Sequence, residues 1–339
     1  QSGYLGTMDR LSAPPEKLPP LTLTVLRELD LDHGSGAGRK AHLSAASGIA
    51  RRGDFVYVIG DDELGLGVFR LSDPSPGTLR PVLAGELSAD PDERKEEKAD
   101  LEALTLLPPS AGRPYGSLLG LGSGSTPRRD RGFVWGLGAD GSLVGEPTEF
   151  DLSPLYARLR ETVPELNVEG ASALGDHLWL FHRGNTEDGV NVIAEVALEE
   201  FVGGATRRGE VACAGLRSRA YDLGTLDGVP LTFSDATPLA DAPVVFTASP
   251  EPGSGPGGAD GEIRGSVVGM IDTDGHVARL RTIDRRWKVE GVYASVDARV
   301  VDFLFVCDQD DPDVASPLLS AAMPTESQFE EEEAAQAGS

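Results

Sequence analysis

One unit recurs five times along this 339-residue chain, and such a repeat limits the possible folds more than any other feature. Each copy has a short segment with a small or acidic residue, a polar turn, and a β-rich run ending in polar residues. The first copy is ASGIA (46–50) with DFVYVIGDDE (54–63), and the second is DLEALTLL (100–107) with SLLGLGSGS (117–125). The third is NVEGASAL (167–174) with HLWLFHRGN (177–185), and the fourth FSDATPL (233–239) with PVVFTASPE (243–251). The fifth is KVEGVYAS (288–295) with DFLFVCDQDD (302–311). Corresponding residues fall at 48, 102, 169, 235 and 290, so the spacing runs from 54 to 67 residues. A four-stranded propeller blade occupies roughly 40–50 residues, so each interval holds one blade with longer loops.

Further β-rich runs complete the units. LGLGVFRL (64–71) and TLRPVLAGEL (78–87) follow the first pair, NVIAEVAL (191–198) and GEVACAGL (209–216) the third, and EIRGSVVGMI (262–271) and HVARLRTI (276–283) the fourth. The fifth unit has only SPLLSAAM (316–323) left to it, and LTLTVLREL (21–29) near the N-terminus supplies the missing strand. Closing the ring in this way removes exposed sheet edges. The expectation is an all-β, five-bladed β-propeller over 21–323, with four antiparallel strands per blade. An N-terminal extension (1–20) precedes it and an acidic, disordered tail (324–339) follows. Gln1–Thr7 reads as a vector remnant, with Met8 as the native start. Between blades two and three, 151–166 has helical periodicity, with Leu152, Leu155, Tyr156, Leu159 and Val163 on one face. EPGSGPGGADG (251–261) reads as a flexible loop.

Abundant Gly and Pro suit many short strands joined by tight turns. The formal charge of −25 opposes nucleic-acid or anionic-membrane binding and favours cations. The two cysteines, Cys213 and Cys307, read as small buried residues on strands. No apolar run reaches the roughly 18 residues of a membrane span, and no signal-peptide pattern is present. A cytoplasmic location without a membrane partner is the resulting expectation.

Propeller strands alternate in direction. The entrance to each innermost strand therefore shares a face with the loop between strands two and three. The entrances carry Ser47, Glu102, Glu169, Ser234 and Glu290, and the loops carry Asp61, Arg183, Asn185 and Asp308. Three glutamates meeting near an axis repel one another, so either their proton affinities rise or a cation neutralises them. Ca²⁺ suits such an all-oxygen set, whereas Zn²⁺ lacks Cys or His at suitable spacing. A purely structural role, capping turns or bonding to a neighbouring blade, is the competing account of the same residues.

These motifs resemble those of the calcium-activated nucleotidases, or soluble apyrases, in the order Ser47 (ASG), Glu102 (DLEAL), Glu169 (VEGAS), Ser234 (FSDA) and Glu290 (VEGV). VEGASALGDHLWLFHRG, with Arg183 on the following loop, and KVEGV look most alike. The resemblance implies a five-bladed propeller with a central Ca²⁺ held by those serines and glutamates. It departs at Gly48, where the family pattern places an acid. The chain also resembles bacterial propellers of phytase-like and esterase-like kinds, which fix a fold and not a reaction.

The leading expectation is a Ca²⁺-dependent hydrolase of a small phosphorylated substrate, either an ester or an anhydride. Arg183 would clamp phosphate oxygens, and Lys98, Arg128, Asn185 and Lys288 would assist. Asp61 or Asp308 would position or deprotonate the attacking water. One rival is a propeller lactonase or esterase, and another is a non-catalytic binding module whose channel metal is structural. GSGS (122–125) does not supply a GxSxG nucleophile elbow.

Overall fold

The computed structural model describes residues 10–12, 19–34, 40–184, 190–207, 210–212, 215–239, 242–250, 265–297 and 300–324. Its strands form five sheets arranged as the blades of a β-propeller. Blade one comprises Ala46–Arg52, Phe55–Gly60, Gly65–Arg70 and Thr78–Pro81. Blade two comprises Leu101–Leu107, Ser117–Gly122, Arg131–Leu137 and Leu143–Asp151. Blade three comprises Val168–Leu174, His177–His182, Asn191–Ala197 and Leu216–Asp222, with Arg10–Ser12 added in parallel at its outer edge. Blade four comprises Val229–Leu239, Ala242–Pro250, Val267–Ile271 and Val277–Thr282, with the two-residue Thr225–Leu226 paired to its innermost strand. Blade five comprises Val289–Asp297, Val300–Cys307, Pro317–Pro324 and the N-terminal Thr24–Glu28.

The ring closes as the repeat predicts. Thr24–Glu28 pairs antiparallel with Pro317–Pro324, Thr24 opposite Ser320 and Glu28 opposite Pro317. Arg27 fastens this strand to blade one. It donates to the Asp73 and Ser75 carbonyls at 2.9 and 2.8 Å, and its guanidinium lies 5.4 Å from the Phe69 ring centroid.

The second strands are apolar without alternation because both faces are buried. The core is divided into five clusters, one at each blade interface. In Phe55–Gly60, Val56 and Val58 pack towards blade five while Tyr57 and Ile59 pack towards blade two. In His177–His182, Leu178 and Leu180 face blade two, and Trp179 and Phe181 face blade four. Every interface is thus a sheet-on-sheet core, and the innermost strands contact one another in cyclic order around the channel.

Three α-helices interrupt the strands among the described residues. Pro91–Glu97 (α1) starts at an N-cap Asp90 whose carboxylate accepts from the Asp92 and Glu93 amides. Ser153–Thr162 (α2) is the predicted helix, and its Leu155, Tyr156 and Leu159 are buried between blades two and three. Leu198–Thr206 (α3) was not expected from the sequence. It buries Leu198, Phe201 and Ala205, with Phe201 edge-on to Phe150 at 5.9 Å. This helix displaces the fourth strand of blade three to Leu216–Asp222, whereas the pattern had placed it at 209–216. In blade one the outer strand is likewise shorter than 78–87, ending at Pro81. The loop 251–261, Cys213, Gln1–Thr7 and 325–339 lie outside the described residues. Cys307 is buried on its strand, as expected. No helix among the described residues is long and apolar enough to cross a membrane.

Candidate functional site

The innermost strand of every blade slips by one residue against its neighbour, and each slip falls on a residue that the repeat singled out. The slips lie between Ala46 and Gly48, Leu101 and Ala103, Val168 and Gly170, Phe233 and Asp235, and Val289 and Gly291. Ser47, Glu102, Glu169, Ser234 and Glu290 are therefore the extra residues of five equivalent β-bulges. A bulge leaves its residue out of the ladder and re-aims the side chain.

The next residue explains the recurring Ser-Gly and Glu-Gly pairs. A Cβ on Gly170 would stand 2.6 Å from the Ala236 amide nitrogen of blade four. One on Gly291 would stand 2.9 Å from the Ser47 carbonyl of blade one, and one on Gly48 would stand 3.0 Å from the Glu102 carbonyl of blade two. Glycine lets these three innermost strands touch the next, while blade two carries Ala103 at this position. Blade four has Asp235 there instead. This fully buried carboxylate accepts from the Ala236 amide at 2.7 Å and from the Val292 amide of blade five at 2.8 Å. Burial pushes its proton affinity well above the usual carboxylate range, against the pull of those two bonds.

Three of the five ring residues are acidic, and cations already stand among them. Arg183 lies 3.4 Å from both Glu169 and Glu290 and donates to the Phe233 carbonyl at 3.2 Å. Glu169 also accepts from Asn167 Nδ2 at 2.5 Å, and Glu290 lies 3.1 Å from Lys288 Nζ. Ser234 Oγ is within bonding distance of Thr247 Oγ1 (3.1 Å) and of the Val289 carbonyl (3.2 Å), which ties it into the wall. Ser47 Oγ lies 3.3 Å from the Ala45 carbonyl.

Glu102 belongs to a second cluster. Oxygens of Asp61, Asp100 and Glu102 come within 4.8 Å of one another. Lys98 bonds to Asp61 and lies 2.8 Å from Asp100. Burial opposes the Lys98 ammonium, but Asp61 and Asp100 outweigh it and raise the affinity for the proton. Asp61 shares that one ammonium with Asp100, so burial still leaves its proton affinity raised. Glu102 is pushed well up, first by burial and then by Glu169, Asp100 and Asp61. Asp308 rises to about 7, first through burial and then through the neighbouring Asp61 and Glu290 charges. Its Oδ1 also accepts from the Asp310 amide at 2.9 Å. The two clusters thus form one electrostatic system, linked through Glu102 with Glu169 and through Asp61 with Asp308 and Glu290.

Asp100 is the residue that the repeat missed. It has a left-handed backbone (φ 54°), a conformation that Asp tolerates better than most residues. Its carboxylate accepts from Ser123 Oγ at 2.6 Å and from Arg129 at 2.8 Å. A signal was present. The position two before the ring residue is polar in four blades, as Asp100, Asn167, Thr232 and Lys288, and two of these bond to their own ring residue. Arg128 does not reach the mouth. It lies on the exposed 3₁₀ turn Pro127–Arg129 and lines an outer cleft with Asp130, Arg131 and Glu149, while Arg129 takes the inward place. Asn185 lies outside the described residues.

Comparison with solved structures gives distant likenesses. Glutaminyl cyclase from Myxococcus xanthus is 10% identical, with a TM-score of 0.44 over 93% of this chain and 100% of that one. A luciferin-regenerating enzyme is 10% identical, with a TM-score of 0.38 over 87% and 95%. The Synechocystis apocarotenoid oxygenase is 9% identical, with a TM-score of 0.34 over 82% and 59%. Likenesses this remote carry no chemistry across, and the blade count rests on the chain's own strand order. No curated protein matches the chain. A family model does match, over residues 42–323, and it spans all five bulges. The chain belongs to the DUF6929 family, a family of unknown function.

Proposed function

We propose that the chain is a hydrolase of phosphate esters or phosphoanhydrides, acting at the channel mouth with Ca²⁺ held by its carboxylates. The observation that carries this reading is the coincidence of five equivalent bulges with the Ser, Glu, Glu, Ser, Glu series, beside the Asp61–Asp100–Glu102 cluster. The donor set is all oxygen, which suits a hard cation of flexible coordination. The raised proton affinity of Glu102 reflects negative charge that a divalent cation would offset. The ring order shared with the soluble apyrases supports the same choice. Bound Ca²⁺ would polarise phosphoryl oxygens.

The chain's own residues have separable tasks in this reading. Lys98, Lys288 and Arg183 orient the phosphate. Asp308, near neutrality, takes the proton of the attacking water, where a base is most effective. The water oxygen bonds to phosphorus, the bond from phosphorus to the leaving oxygen breaks, and that oxygen is protonated from solvent. Phosphate release from nucleotides, sugar phosphates, phytate and aryl phosphates, with EDTA and with Ca²⁺, tests the reading. Ca²⁺-dependent release that is lost in Asp308→Asn is expected. Turnover of aryl esters or lactones alone would transfer the site to the esterase class.

One observation favours a second reading. Arg183 and Lys98 are each already shared between two carboxylates. Such a network can brace the channel of a binding module without turnover. Silence across both substrate panels would select it.

A further inference from the structure

A cavity of about 670 Å³ opens beside blade one, lined by residues of that blade and of α1. Its walls include Leu64, Leu79, Leu83 and Leu87, with Glu63 and Arg94 as its buried charged groups. Arg94 is fixed in place, donating to the Asp62 carbonyl at 3.1 Å and the Ser88 carbonyl at 3.0 Å, and lying 3.7 Å from Glu63. Glu63 and Arg94 offset each other and the exposed Glu86 adds a negative charge, so the cavity offers apolar area and hydrogen-bonding groups but no attraction for an anion. Its volume lies within the roughly 300–1,000 Å³ of ordinary small-molecule pockets.

Cavity and mouth share two pieces of structure. In the turn after Phe55–Gly60, Asp61 meets Lys98 at the mouth, whereas Glu63 lines the cavity. Helix α1 carries Arg94 at the cavity, and its C-cap Lys98 reaches the mouth, about one helical turn on. A molecule held by both would keep its anionic end at Lys98 and its uncharged end among the leucines.

We propose that this cavity receives the alkyl or aryl group of a phosphate ester whose phosphate is held at the mouth, so that the substrates are phosphate esters of apolar alcohols. This rests on the hydrolase reading above. A nucleoside polyphosphate or phytate would fill an apolar cavity poorly.

The test uses the full chain with Ca²⁺ and three probes: 1-naphthyl phosphate, glycerol phosphate and 1-naphthol alone. Leu87 lies outside the five core clusters, so Leu87→Arg is expected to fold, and Leu79→Asn is a second variant should it not. The expected result is 1-naphthol binding, read by its fluorescence, that weakens about tenfold in the variants. KM for 1-naphthyl phosphate should rise similarly with kcat little changed, and glycerol phosphate kinetics should not respond. Equal use of both esters, or variants indistinguishable from the parent, would overturn the inference while leaving the hydrolase reading intact. Variant-sensitive 1-naphthol binding with no ester hydrolysed would overturn the hydrolase reading and the ester assignment, leaving an apolar-ligand cavity.

Discussion

The Arg183 guanidinium lies 3.4 Å from the carboxylate of Glu290, a partner 107 residues further along the chain and two blades away. The same guanidinium serves Glu169 of its own blade, so one cation offsets two of the three ring glutamates. Removing one partner of a buried pair leaves uncompensated charge and costs about 3–5 kcal/mol. Arg183→Ala should therefore lower the urea midpoint strongly. Added Ca²⁺ should restore more stability to the variant than it adds to the parent, because a second cation can take over the offset. Urea titrations of both proteins with and without Ca²⁺ measure this.

Asp308 gives the mouth a pH dependence of definite sign. Its proton affinity is about 7 in the fold, against 3.8 for a free carboxyl. Between those values the folded chain holds a proton that the unfolded chain has lost. Stability therefore falls as pH rises through that window and levels off above it. Asp308→Asn should raise the melting temperature at about pH 8 and change it little at about pH 3.5. Glu102 and Asp235 are shifted in the same direction and add to the slope.

His182 works in the opposite direction. Burial lowers its affinity from 6.5 to about 4, and its Nδ1 sits 3.0 Å from the Asn167 amide. Stability from this group is complete above 6.5 and is lost as pH falls towards 4. Melting of a His182→Gln variant from about pH 7 to about pH 4 should show a weaker acid-side decline than the parent.

Two glycine substitutions should differ in sign. Gly170→Ala forces a Cβ to 2.6 Å from a backbone nitrogen of the next blade, and overpacking of this kind costs about 1–3 kcal/mol. Gly203 lies in α3, and a methyl added there would meet nothing within 4 Å, so Gly203→Ala should stabilise by about 0.5–1 kcal/mol. Denaturant midpoints of the two variants measure the contrast.

The blade count and the ring positions were legible because the bulge recurs once per blade on a serine or glutamate after an apolar residue. The ring-closing strand was legible because the fifth unit lacks a strand that Thr24–Glu28 can supply. Helix α3 was not, since LEEFVGGAT is short, contains two glycines, and is held by Phe201 packing on Phe150 rather than by its own propensity. Asp100 was passed over because its role depends on Lys98, Ser123 and Arg129 meeting around it, which local spacing does not reveal. Arg128 was expected to assist at the mouth, but it is an exposed residue of a tight turn whose next residue, Arg129, reaches Asp100.

Calorimetric titration of Ca²⁺ into EDTA-stripped protein, beside Glu102→Gln, tests most directly the proposed holding of Ca²⁺ by the mouth carboxylates. A single saturable site whose affinity drops about tenfold or more in Glu102→Gln is the predicted result. No binding heat, or equal affinity in the two proteins, would contradict it.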